Sequence, residues 1–151
     1  MSELKDTINA DLKAAMIARD TLKTQTLQGL KAAILNEEVA KKVREMGLDE
    51  VSIEQLIARE AKKRDEAAEL FDRGGNAESA AKERTEKEIL LKYLPTQLTE
   101  DELSQMIDTI IETMQPNGMQ DMGKIIGATK TQTGSAGDGA MIAKLVKEKL
   151  S

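Results

Sequence analysis

The chain has 151 residues, 40% of them hydrophobic but only 1% aromatic, with a formal net charge of −5. It holds no cysteine and no histidine, which excludes disulfides, thiolate chemistry, the commonest general base and zinc-type metal sites. A core that must be built from Leu, Ile, Met and Ala favours helices over sheets.

The first helix is predicted over residues 3–18, where Leu4, Ile8, Leu12 and Met16 recur every four residues on one stripe. Asp20 is placed to cap a second helix running to about Met46, with Leu27, Leu30, Ile34, Val39 and Val43 inward and Gly47 as its stop. Gly29 inside that helix costs roughly 1 kcal/mol relative to Ala, which close packing of a neighbouring helix would explain. A third helix is expected from Ser52, with Gln55 completing a capping box and Val51 and Leu56 a hydrophobic staple. Its inner stripe is Ile53, Leu56, Ile57, Ala61, Ala67 or Ala68, and Phe71. Its basic face, Arg59, Lys62, Lys63 and Arg64, reads as solvated surface paired with acidic residues at helical spacings on the same helix. Gly74-Gly75 ends the helix and Asn76 caps a fourth over 77–94, so helices three and four form a long antiparallel hairpin.

Pro95 lacks an N–H and restricts Leu94, so the fourth helix stops there. Thr99 then caps a fifth helix, with Glu102 in capping-box position, Leu98 and Leu103 in staple position, and Glu100, Asp101 and Glu102 at the positive end of the helix dipole. Tyr93, Leu94, Pro95 and Leu98 therefore mark a joint between two domains, 1–95 and 96–151. In the second, Leu103, Met106, Ile107, Ile110, Ile111 and Met114 form one stripe. Pro116-Asn117-Gly118 is a turn, and a short helix follows with Met122, Ile125, Ile126 and Thr129 inward. Gly134 to Gly137 is a loop. Asp138 caps a last helix whose inner face is Ile142, Leu145, Val146 and Leu150. The fold class is all-α: an N-terminal helical domain with a long hairpin, plus a small three-helix C-terminal domain.

No residue cluster points to catalysis, a metal or a cofactor. The Glu100-Asp101-Glu102 run is explained by the helix dipole better than by magnesium. There is no Gly-rich phosphate loop followed by Lys-Ser/Thr. Two features remain open. Gly123 and Gly127 lie four apart on one helical face, with Lys124 and Lys130 nearby; the face receives either a neighbouring helix or a phosphate backbone. Gly134-Ser135-Ala136-Gly137-Asp138-Gly139 precedes a Lys-bearing helix; it is either an ordinary capped turn or an anion site, which Asp138 would oppose. Charge is polarised here. From residue 117 onward Lys124, Lys130, Lys144, Lys147 and Lys149 face three anions, whereas the fifth helix carries Glu100, Asp101, Glu102, Asp108 and Glu112 with no cation. No apolar run approaches the roughly 20 residues that span a membrane, and the first residues lack a charged-then-apolar leader pattern. The expectation is a cytoplasmic monomer away from membranes.

Tyr93-Leu94-Pro95 and Gln97-Leu98, with Glu88-Ile89-Leu90 before them, resemble the centre of the YqeY family, itself similar to the C-terminal tail of the tRNA-dependent amidotransferase B subunit. Leu30-Lys31-Ala32-Ala33-Ile34, Lys63-Arg64-Asp65 with Phe71 and Gly75, Asp121-Met122-Gly123-Lys124 with Gly127, Gly134, Asp138-Gly139 and Leu145-Val146-Lys147 carry the resemblance along essentially the whole chain. It implies an all-helical two-domain fold and contact with tRNA, as for a similar module appended to a glutaminyl-tRNA synthetase. Carried over, the RNA-facing candidates are Gly123, Lys124, Gly127, Lys130, Ser135 and Lys144. Ser135 stands where the family has a basic residue, Gly137 looks like an extra residue, and Asn76 stands where Arg is frequent, so fewer phosphate contacts are available. The amidotransferase chemistry has no counterpart in these residues. The resemblance implies a non-catalytic tRNA-binding accessory protein, with an aminoacyl-tRNA synthetase or amidotransferase as protein partner. The alternative is a protein-interaction module that binds no RNA. Neither reading requires a cofactor.

Overall fold

The computed structural model describes residues 2–151. Among them the chain forms seven α-helices and no strand: α1 (Glu3–Ile17), α2 (Thr21–Ala40), α3 (Glu50–Arg73), α4 (Ala77–Leu91), α5 (Glu100–Met114), α6 (Met122–Thr133) and α7 (Gly139–Leu150). The all-helical expectation holds. The chain divides into two compact units, one running to Leu94 and the other Pro95–Ser151.

In the first unit, Ile8 and Leu12 of α1 meet Leu27, Leu30 and Ile34 of α2, Ile53, Leu56 and Ile57 of α3, and Leu90 of α4. Helix α2 ends at Ala40 rather than near Met46. Lys42 takes a left-handed conformation (φ 59°), so its N–H reaches the Val39 carbonyl and the Val43 N–H reaches that of Glu38. This is a Schellman closure without the usual glycine. The turn that follows folds around Glu38, which is 2% exposed. Its Oε2 accepts from Lys5 Nζ at 2.8 Å and from the Leu48 N–H at 3.0 Å. Burial opposes the Glu38 charge most strongly, but these two donors, with the charge of Arg44 added, outweigh it and hold the carboxyl below its ordinary range.

Helix α3 is capped by Asp49, whose carboxylate accepts from the Ser52 N–H at 2.8 Å, not by Ser52 itself. Val51 is consequently exposed and the expected staple with Leu56 does not form. The earlier start places Glu50 where its carboxylate accepts from the Leu4 N–H (2.8 Å) and Ser2 Oγ (3.1 Å), tying α3 to the beginning of α1. Gly29 is exposed, and a Cβ there would meet only the Arg64 guanidinium at 3.9 Å. The close helix contact expected at Gly29 is absent.

Helices α3 and α4 form the antiparallel hairpin. Gly75 (φ 77°) closes α3, with its own N–H on the Asp72 carbonyl and the Asn76 N–H on that of Phe71. The basic face of α3 mostly pairs across helices: Arg59 with Glu37 of α2 (3.4 Å), and Arg64 with Glu86 (3.4 Å) and Glu83 (3.9 Å) of α4. Only Lys63 pairs on its own helix, with Glu60 at 3.2 Å, and Lys62 is exposed. Helix α4 stops at Leu91, short of the predicted Leu94, because its end tightens into i→i+3 bonds from Tyr93 to Leu90 and Leu94 to Leu91 ahead of Pro95. The Tyr93 hydroxyl donates to Asp11 Oδ2 at 2.6 Å, and Tyr93 and Leu94 pack on the first core. Burial first, then this bond, pushes the phenol well above its ordinary range.

In the second unit, Leu103, Ile107 and Ile110 of α5, Ile125 of α6, and Ile142, Leu145 and Val146 of α7 form a separate core, with Leu98 against it. Thr99 caps α5, its Oγ1 accepting from the Glu102 N–H at 3.1 Å. Met114, placed inward by its spacing, is exposed because Gln115 turns left-handed (φ 47°) and the chain departs. Short 3₁₀ turns cover Gly118–Asp121 and Gly134–Ala136.

Candidate nucleic-acid interface

Helix α6 buries Ile125 and Thr129, and this fixes what its other side presents. The Thr129 hydroxyl is satisfied by the Ile125 carbonyl at 2.8 Å, so this polar residue is buried at little cost. Gly123 and Gly127 point the opposite way and are exposed; a Cβ on either would meet no heavy atom within 4 Å. Of the two readings of these glycines, the neighbouring helix is excluded within this unit. Helical spacing puts Lys130 on the same side, and Lys130 is exposed. Its chain crosses to α7, where Cε and Nζ lie 3.5 and 3.6 Å from a Cβ placed on Gly139. Lys124 flanks the stripe, exposed and held only loosely by Asp121 at 3.7 Å.

The loop between α6 and α7 is held from the beginning of the unit. The Leu98 N–H donates to the Ala136 carbonyl at 2.8 Å, and Gln97 Nε2 donates to the Ser135 carbonyl at 2.9 Å and to the Pro95 carbonyl at 3.2 Å. Gln97-Leu98 is therefore a clasp on the loop, a role that sequence reading missed. Gly137 leaves no room for a side chain: a Cβ there would lie 2.5 Å from Thr133 Oγ1 and 3.1 Å from Ile142 Cδ1. Asp138 caps α7 through the Ala140 N–H at 3.0 Å, so a carboxylate already occupies that helix start.

The structure thus brings Gly123, Gly127 and Lys130 onto one open stripe, with Lys124 beside it and the Ser135 loop clasped at its far end. Ser135 itself is half-buried. Lys144 is exposed on α7, and no hydrogen bond or ion pair among the described residues joins it to the α6 stripe. Lys149, by contrast, is committed to Asp108 of α5 at 2.7 Å. Among the described residues, no three carboxylates converge on a point that would hold a metal.

Residues 5–150 match the family model described as Yqey-like protein. Among curated proteins the chain is similar to Altered inheritance of mitochondria protein 41, mitochondrial. It is 32% identical to that of Lachancea thermotolerans over 87 residues, which is 58% of this chain and 46% of the relative. It is 29% identical to that of Saccharomyces cerevisiae over 127 residues, 84% of this chain and 60% of the relative. The matches cover about half to three-fifths of these relatives' length. These names correct the expectation of a cytoplasmic protein, since they point to a mitochondrial setting instead. Composition was never able to decide this, because a helical domain without cysteine needs no particular redox environment.

Proposed function

The chain belongs to the Yqey-like protein family, and on that premise we propose that it is a non-catalytic tRNA-binding accessory protein. Its second unit meets the RNA through the open side of α6. The observation that carries the reading is the bare Gly123–Gly127 stripe. Glycine inside a helix costs up to about 1 kcal/mol relative to Ala, and no packing within the unit offsets that cost here. A surface that must come close to the helix backbone accounts for both glycines, and a phosphate backbone fits the adjacent Lys124 and Lys130. The resemblance of this unit to the amidotransferase B-subunit tail supports the same assignment. The first unit is left to engage a protein partner, an aminoacyl-tRNA synthetase or an amidotransferase.

Contacts would be few. Lys124, Lys130, Lys144 and Lys147 are the exposed lysines of this unit, so log K should fall with log salt at a slope no steeper than about −4. Fluorescence anisotropy of labelled bulk tRNA across a salt series tests this. Saturable binding with a slope in that range supports the proposal. Absence of binding at low salt removes it and leaves a protein-interaction module.

A further inference from the structure

A second candidate site lies in the first unit and shares no residue with the RNA-facing candidates. Helix α1, the C-terminal half of α2 and the turn after it enclose an open cleft of about 310 Å³, at the lower end of the range typical of small-ligand sites. Ile8 and Ile34 lie buried beneath the cleft, Ala32 and Leu35 supply its accessible apolar surface, and Lys5, Lys31 and Arg44 its cations. The only carboxylate in the lining is Glu38, and it is spent: Lys5 neutralises it, and the Leu48 N–H shares the same oxygen. Lys31 and Arg44 have no ion-pair partner among the described residues, although ten such pairs form among them. The cleft therefore carries an uncompensated positive charge beside apolar walls. Leu35, also in the lining, is 39% exposed, apolar surface that gains by being covered.

We propose that this cleft binds a small amphiphilic anion, an oxyanion head set between Lys31 and Arg44 with a hydrocarbon body against Ala32 and Leu35. The head is a carboxylate or a phosphate monoester; both present the oxygens that Lys and Arg donate to. This assignment is independent of the RNA reading, since it uses none of the same residues.

The test is an amide-resolved NMR titration of the full chain with octyl phosphate, octanoate and inorganic phosphate. Octyl phosphate has about 13 non-hydrogen atoms, which at ordinary ligand efficiency gives a Kd on the order of a millimolar. The expected result is saturable movement of the Lys31, Leu35 and Arg44 amides with at least one amphiphile, and the better of the two identifies the head. Inorganic phosphate, lacking the body, should bind at least about tenfold more weakly. The Lys31→Glu/Arg44→Glu double variant, both side chains being exposed and so dispensable for folding, should weaken the amphiphile at least about tenfold. Three results would overturn the proposal: no movement with either amphiphile, equal binding of inorganic phosphate, or full affinity in the double variant. Movement of these amides by tRNA but by neither amphiphile would also overturn it, and would give the cleft to an RNA backbone.

Discussion

Replacing Gly127 and Gly123 by alanine should make the protein more stable and its RNA binding weaker. Neither glycine has a positive φ, and both lie in α6 with open space where a methyl would go. Gly127 is in the helix interior, where Ala is favoured by about 1 kcal/mol. Gly123 is the second helical residue, where fewer backbone constraints apply, and roughly half that is expected. Together the gain is about 1.5 kcal/mol, which for a unit of this size raises its melting temperature by roughly 6–12 °C. Differential scanning calorimetry of the full chain, with amide exchange across α6 to assign the transition, reads the stability. Anisotropy with labelled tRNA reads the other half, since two methyl groups would hold a phosphate backbone off the helix. Loss of stability would mean that something packs on this face after all. A gain in stability with unchanged tRNA affinity would refute the interface while leaving the helix geometry intact.

Three further substitutions probe the fold. Glu38→Gln breaks a buried pair and should cost about 2–4 kcal/mol in urea denaturation at neutral pH. Because the Glu38 pKa is lowered by folding, its contribution is present above the unfolded value and lost as pH falls through the folded one, so the variant should lose less on acidification. Glu86→Gln should have the opposite sign. Burial, then the nearby Glu83, raise the Glu86 pKa despite Arg64 at 3.4 Å. Its contribution is therefore complete below the unfolded pKa and lost as pH rises through the folded one. The variant should be the more stable protein at neutral pH, and the two urea midpoints should converge toward about pH 4. Gly137→Ala should destabilise by about 1–3 kcal/mol, because Thr133 must move from 2.5 Å; a thermal melt beside Gly127→Ala separates the two kinds of glycine.

The caps at Asp20, Asn76, Thr99 and Asp138 were legible because a short polar side chain before an apolar periodic run has one obvious use, and each accepts the expected N–H. The end of α2 was not legible. Lys42 adopts the left-handed cap where sequence reading looks for glycine, and the cause is the burial of Glu38, which lies beside the half-exposed Glu37 and differs from it only in its tertiary partners. The start of α3 was ambiguous in kind: Asp49 and Ser52 are both good caps three residues apart, and the contact of Glu50 with α1 goes with the earlier one. At the RNA-facing candidates, spacing marked Gly123 and Gly127 as one face but had no means of saying what covers it. The steric need for glycine at Gly137 was not legible, because it comes from Thr133 and Ile142, on elements either side of the loop. The Gln97 clasp joins residues 38 apart, and periodicity carries no trace of it.

The most direct test of the central claim is tRNA anisotropy at low salt with the wild type beside Lys124→Glu/Lys130→Glu. Both lysines are exposed and neither holds the core, so the variant should remain folded. Saturable binding by the wild type, weakened about tenfold or more in the variant, is the predicted result. Equal binding by the two proteins would contradict the assignment of the α6 face.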